Sequence, residues 1–360
     1  MKNMLALFLV VVLLKKRKRI MRILSTTLFT ICVLVSLFFI VESFKERPQG
    51  YGEHLEGFDY PYPTADFTFT SQGQKLTMGY MDVAPIGESN GHTVVALHGK
   101  NFCGATWEKT IDTLIHEGYR VIAPDQIGFC RSTKPEGYQF SLNQLAANTH
   151  ALLEAQGVEK AIVMGHSMGG MLATRYALMY PQNVEKLVLV NPIGLEDWQA
   201  KGVPYATIDD MYKAQLKITY NKIKNYQSKF YYKGGWKPEY DKWVDMLYGM
   251  YEGSGKQHVA YNQAQTSEMI FTQPIAHEFA NVQVPTLLLI GQMDRTAPGA
   301  NRAEKDLAET LGNYPELGRK TAAEIPNAVL VEFPSFGHSP QVEAPDVFHK
   351  ALLEELPKGL

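Results

Sequence analysis

The sequence predicts an α/β protein: a mostly parallel, eight-stranded sheet flanked by helices, with a helical cap inserted between two of its strands. Three observations carry that prediction. Short β-branched runs alternate with longer helical patterns from residue 66 to 190, the alternation gives way at Pro192 to a polar stretch crowded with aromatics, and it resumes at Pro285. Apolar strands of this length separated by helices point to a parallel sheet covered on both faces.

The elements follow in order. Residues 66–70 and 75–83 form a predicted antiparallel hairpin around Gly73, and 92–97 a buried strand. Residues 107–117 read as a helix ended by Gly118, 120–124 as a strand, and 141–155 as a helix with Ser141 as N-cap and Gly157 closing it. A strand at 161–165, a helix at 168–180 stopped by Pro181 and a strand at 184–190 complete the first part of the core, 65–191. Residues 192–275 are the expected cap, whose aromatics, Tyr226, Tyr231, Trp236 and Trp243 among them, are expected mostly to pack a core of their own, the rest giving an apolar pocket. The second part, 276–360, holds strands at 285–291 and 328–333, a helix near 300–311 and a closing helix at 345–356.

The amino terminus differs. Residues 4–14 are apolar but short, a basic block runs from Lys15 to Arg19 with Arg22 beyond, and 23–41 are uncharged and almost wholly apolar. About 20 such residues cross the hydrocarbon when helical, and basic residues before them hold the chain's start in the cytoplasm. Residues 1–44 are therefore expected to be either a cleaved signal peptide or a membrane anchor, with Met21 as an alternative start. The absence of an A-x-A site after Val41 favours the anchor. The remainder is expected to be exported, periplasmic or otherwise extracytoplasmic, and secreted or tethered. Residues 45–64, rich in Gly, Pro and Tyr, read as a linker.

Composition narrows the chemistry. The chain is 45% hydrophobic and 20% charged with a net charge of -2, which gives no basic surface for a nucleic acid. Its ten His, three Cys and 37 acidic residues contain no HExxH, paired CxxC or EF-hand loop, so no metal or other cofactor is expected.

The segment Gly165-His166-Ser167-Met168-Gly169-Gly170 follows a strand and opens a helix, the context of a nucleophile elbow. The turn is so tight that Ser167 must take a strained backbone conformation that lifts its hydroxyl above the sheet, while the next helix aims its first amides at any anion formed there. A serine hydroxyl needs a base. His338, in Phe336-Gly337-His338-Ser339 after the last strand, is the candidate, and Asp294, in the turn after strand 285–291, is the candidate to orient it. The amides of Met168 and Lys100 are the expected oxyanion donors, with Asn101 the neighbouring alternative to Lys100. The Lys100 side chain reads as a solvated surface lysine.

These pieces, LHGKNFCGATW from Leu97, APDQIGFCRS from Ala123, MGHSMGG from Met164, IGQMDRTAP from Ile290 and PSFGHSPQVEAP from Pro334, resemble the α/β-hydrolase family. Within it they resemble the capped branch of esterases, C–C bond hydrolases, epoxide hydrolases and haloperoxidase-like enzymes. The resemblance runs from about residue 65 to the carboxyl terminus. It implies a serine hydrolase that cleaves an ester, thioester, amide or activated C–C bond, and the aromatic cap adds the expectation of a small, mainly apolar substrate. Relatives that open epoxides or remove halides carry Asp at the elbow, whereas Ser167 implies an acyl-enzyme. One departure is Cys130, where relatives commonly have Gly; with Cys103 in the neighbouring loop it forms a candidate disulfide, two buried thiols being the other reading. Asp125 is expected to anchor its loop. A proline iminopeptidase, with Asp209, Asp210 or Glu252 of the cap binding the substrate amine, and a non-catalytic receptor of the same fold are the competing functions.

Overall fold

The computed structural model describes residues 50–360, so the expected signal or anchor lies outside the described residues. Among those described, no helix is long and apolar enough to cross a membrane.

Eight strands form one sheet: β1 (Thr64–Ser71), β2 (Gln74–Val83), β3 (Thr93–Leu97), β4 (Arg120–Pro124), β5 (Ala161–His166), β6 (Val184–Val190), β7 (Thr286–Gly291) and β8 (Ala328–Phe333). Their order is β1-β2-β4-β3-β5-β6-β7-β8. The pairs β1–β2 and β2–β4 are antiparallel, and the other five are parallel. The central strands read as unbroken apolar runs because both faces are covered, and alternate residues enter different cores. Val95, Leu97, Val163, Leu187, Leu189, Leu288 and Ile290 face one; Val94, Ala96, Ile162, Met164, Val188, Val190, Leu287 and Leu289 face the other. Burying each such side chain contributes about 1.5–3 kcal/mol.

The second core is closed by α1 (Glu108–His116) and, near the carboxyl terminus, by Phe348, Leu352 and Leu356. The first is covered by α2 (Leu142–Ala155) and α3 (Met168–Met179). Ser141 caps α2 as expected, its hydroxyl accepting from the Gln144 amide (3.0 Å).

Between β6 and β7 lie α4 (Ile208–Gln215), α5 (Tyr220–Tyr226), a π turn (Gln227–Tyr231), α6 (Asp241–Glu252) and α7 (Lys256–Thr272). Thr207 and Thr219 cap α4 and α5 through their hydroxyls. Tyr231, Tyr232, Tyr240, Trp243 and Tyr251 are buried, and Tyr232 stacks on Tyr240 with ring centroids 3.8 Å apart.

Three readings change. The expected helix at 300–311 is broken into a 3-10 turn (Ala300–Arg302) and α8 (Lys305–Thr310). A further helix, α9 (Tyr314–Glu324), was not expected; it buries Tyr314, Leu317, Gly318 and Thr321, one stripe at helical spacing, and carries Pro in its first turn. After β8 come α10 (Pro340–Glu343) and α11 (Pro345–Glu355). Finally, residues 50–63, expected to be linker, pack on the domain. Tyr51, Phe58 and Tyr60 form an edge-to-face chain (5.6 and 5.4 Å), Leu55 is buried, and the Tyr60 hydroxyl donates to Asp125 (2.5 Å). The Tyr residues that contributed to this stretch's linker-like composition are contact residues.

Candidate active site

The site lies at the carboxyl ends of the parallel strands, beside the point where strand order reverses across β3, the usual ligand crevice of such sheets. Ser167 joins β5 to α3 with φ +57° and ψ -120°, a conformation that L residues avoid and that costs roughly 1–3 kcal/mol. The surroundings enforce it. The Ser167 amide donates to Val190 O (3.2 Å), and its carbonyl accepts from Gly170 (2.9 Å) and Ile193 (3.2 Å). A side chain at Gly169 would strike the Leu97 carbonyl, so β3 and α3 approach this closely only with glycine there.

His338 follows β8 and is fully buried, as is Asp294, after β7. Nδ1 of His338 donates to Oδ2 of Asp294 at 2.6 Å. Because Nδ1 keeps its proton and donates it in a hydrogen bond to the carboxylate, Nε2 of the neutral ring presents a lone pair, and Nε2 has no hydrogen-bond partner. It is not bonded to Ser167, a contact that often tightens only with substrate bound. Asp294 is saturated: Oδ1 accepts from the Thr296 amide (2.7 Å) and Oδ2 also accepts from Asn191 Nδ2 (2.9 Å).

Asn191 was missed in the sequence. It is fully buried at the end of β6 with φ +37°, and its Oδ1 accepts from the Gly291 amide (2.8 Å), tying β6 to β7. Its one signal is a polar residue directly after an apolar strand. His166 was read only as part of the elbow. Its Nε2 donates to the His338 carbonyl (2.8 Å), and the two rings lie 4.9 Å apart. Burial, then the nearby His338, holds its pKa well below the usual range, so it stays neutral and braces the elbow against the loop of the base.

The loop after β3 closes a turn in which Phe102 N donates to Gly99 O (3.0 Å), leaving the amides of Lys100 and Asn101 outside that bond. The turn rides on the nucleophile: a Cβ at Gly99 would stand 2.9 Å from Ser167 Cβ. Buried His98 fixes it, Nε2 accepting from the Gln126 amide (3.0 Å) and Nδ1 donating to Gly99 O (2.8 Å). Asp125 anchors the two loops, accepting from the Gly104 (2.7 Å) and Arg131 (3.1 Å) amides. A disulfide joins Cys103 to Cys130, whose Cα atoms are 6.0 Å apart. Cys130 keeps the positive φ (+45°) that suits the glycine of relatives. Cys103, Asp125 and Cys130 converge, but the disulfide and these hydrogen bonds occupy their ligand atoms.

Ser167 opens into a cavity of about 330 Å³ under the cap, with Ile193, Met211, Tyr226, Tyr231 and Phe271 among its walls. The Tyr231 ring lies 4.9 Å from that of His338, and its hydroxyl accepts from Asn101 Nδ2 (2.9 Å). The backbone of His338 donates to Phe230 O (3.3 Å), so the π turn of the cap holds His338 directly. Lys100 corrects the sequence reading: its side chain is not solvated on the surface but lines this cavity, Nζ donating to Gln263 Oε1 on α7 (2.5 Å). Desolvation under the cap pushes its pKa down to about 7.

Comparison with known proteins agrees with this architecture. A family model described as alpha/beta hydrolase fold matches residues 92–345. A crystal structure of a probable hydrolytic enzyme from Pseudomonas aeruginosa PAO1 is 58% identical, covers 88% of this chain and 99% of that one, and superposes with a TM-score of 0.85. The chain is 26% identical over 273 residues to the 2-hydroxy-6-oxononadienedioate/2-hydroxy-6-oxononatrienedioate hydrolase of Comamonas testosteroni, covering 75% of this chain and 89% of that protein. It is 39% identical over 112 residues to the AB hydrolase superfamily protein YfhM of Bacillus subtilis, covering 31% of this chain and only 39% of that one. With strand order, elbow and family model in agreement, the chain belongs to the alpha/beta hydrolase family.

Proposed function

We propose that the protein hydrolyses an ester or related acyl bond of a small substrate through an acyl-enzyme on Ser167. What supports this reading is a strained serine at the end of β5 together with a buried His338–Asp294 pair, from the ends of β8 and β7, whose imidazole keeps one unpartnered nitrogen as a proton acceptor. In this mechanism His338 Nε2 takes the Ser167 proton as Oγ attacks the acyl carbon. The amides of Met168 and Lys100 receive the oxyanion, each lowering the barrier by about 3 kcal/mol. His338 then protonates the leaving group and activates the water that releases the acyl chain, and Asp294 stabilises the imidazolium without taking its proton. The C–C hydrolase among the relatives widens the range of bonds to be tested.

The aminopeptidase reading lacks its binding group. Asp209, Asp210 and Glu252 are exposed, and the cavity above Ser167 is lined by none of them. We further infer that the domain works outside the cytoplasm, a reading supported by the Cys103–Cys130 disulfide and tested by fractionation with thiol trapping.

Hydrolysis of short-chain p-nitrophenyl esters with a pre-steady-state burst is the test. Turnover abolished in Ser167→Ala is the expected result. Turnover unchanged in that variant, or no turnover of any acyl substrate by folded protein, overturns the proposal and leaves the receptor reading.

A further inference from the structure

Two cations share the cavity with Ser167. Lys100 comes from the loop after β3, and Arg302 from the 3-10 turn that follows β7 and Asp294. In the sheet these strands flank β5 and β6, so the charges stand on either side of the nucleophile's strand. Neither forms an ion pair among the described residues. Lys100 has the neutral amide of Gln263. Arg302 donates from Nε to the Pro204 carbonyl (2.9 Å), with its guanidinium 5.0 Å over the Phe271 ring. No Asp or Glu lines the cavity. Burial holds both pKa values down, with no carboxylate opposing it.

Several other cations around the cap do meet carboxylates. Lys201 meets Glu196, Arg175 meets Glu278, Lys224 meets Asp241 and Lys233 meets Glu343. Two cations lining one cavity with no carboxylate among its walls present uncompensated positive charge to whatever enters it.

We propose that the substrate is an acyl compound carrying an anionic group, a carboxylate in the simplest case, held by Lys100 and Arg302 while its acyl carbon lies at Ser167. This deepens the acyl-enzyme reading and rests on it for the position of the reacting carbon. It replaces the mainly apolar substrate expected from the cap's composition by one with an apolar body and a charged end.

The test compares matched esters. Mono-p-nitrophenyl succinate against p-nitrophenyl butyrate places the charge on the acyl side, and 4-acetoxybenzoate against its methyl ester places it on the leaving group. The expected result is a kcat/KM for one charged ester at least about tenfold above its neutral partner, with that ratio falling about tenfold in Lys100→Met and in Arg302→Gln. Ratios near one in the wild type, or ratios unmoved in both variants, overturn the inference. A binding arm reads the cavity without turnover: Ser167→Ala titrated with the same pairs should bind the charged member more tightly, and lose that preference when Lys100→Met is added. Equal affinities overturn the anion site even where esters are hydrolysed. A retained anion preference in a wild-type protein that hydrolyses none of them supports the anion site and overturns the acyl-enzyme instead.

Discussion

The floor and the roof of the cavity are built in opposite ways. In the floor, at the ends of β3, β5, β6 and β7, polar groups are tied to one another: Asp294 has three donors, Asn191 bridges two strands, and His166 and His98 are spent on backbone atoms. The floor has exceptions, among them His338 Nε2 and, in the loop after β7, Thr296 Oγ1 and Gln292 Nε2. In the roof, both amide atoms of Gln227, the Tyr232 hydroxyl and Gln265 Oε1 are buried without a partner, and polar side chains turn into the cavity. The difference teaches a division of labour. A site that must hold atoms to within a fraction of an ångström is over-determined by strand ends, whereas the helical roof leaves more of its buried polar atoms without partners.

That division can be broken at several points. Ser167→Ala is expected to lower kcat roughly 10⁴-fold or more, read by ester turnover, with little change in stability. Removing the disulfide, by Cys103→Ser with Cys130→Ser, should cost about 3–4 kcal/mol in urea denaturation, since it closes a loop between positions 27 apart that underlies the floor. Asn191→Ala leaves Asp294 one donor short and the Gly291 amide unpaired. It should lower kcat about tenfold with KM nearly unchanged, and destabilise by about 1–3 kcal/mol. Ser167→Gly tests the strain: it should abolish turnover yet raise stability by about 1 kcal/mol, because glycine accepts φ +57°.

The smallest expected effect belongs to the contact between floor and roof, where Lys100 meets Gln263. Lys100, pushed down to about 7, is an ammonium below that pH and an amine above it. The preference for the charged ester should therefore decline from pH 6 to pH 9, towards the part that Arg302 alone supplies. Taking the ratio of charged to neutral ester cancels any pH effect common to both esters. Of the groups around Lys100, Tyr226 and Tyr231 are pushed upward by burial and stay neutral, and Gln263 does not titrate. A ratio constant across this range contradicts the role given to Lys100.

What could be read in the sequence follows the same division. The sheet was legible because a strand buried on both faces has few acceptable compositions; β4 and β6 begin and end where the apolar runs do. The elbow was legible because its glycines have a local reason. His338 and Asp294 were located by their places after strands, and the structure joins them. Asn191 was not legible, because the partner that gives it meaning is 103 residues away. The burial of Lys100 depends on Gln263, 163 residues on, which only the placement of α7 decides. Helix α9 was missed for a different reason: its stripe of four positions, 314, 317, 318 and 321, includes a glycine and a threonine and so carries little apolar contrast.

Covalent titration tests the central claim most directly. The protein is treated with a fluorophosphonate and the adduct located by peptide mass spectrometry. The account expects one adduct per chain, on Ser167, formed much more slowly in His338→Ala and absent in Ser167→Ala. Folded protein that takes up no label, or takes it up at another residue with Ser167 untouched, would contradict it.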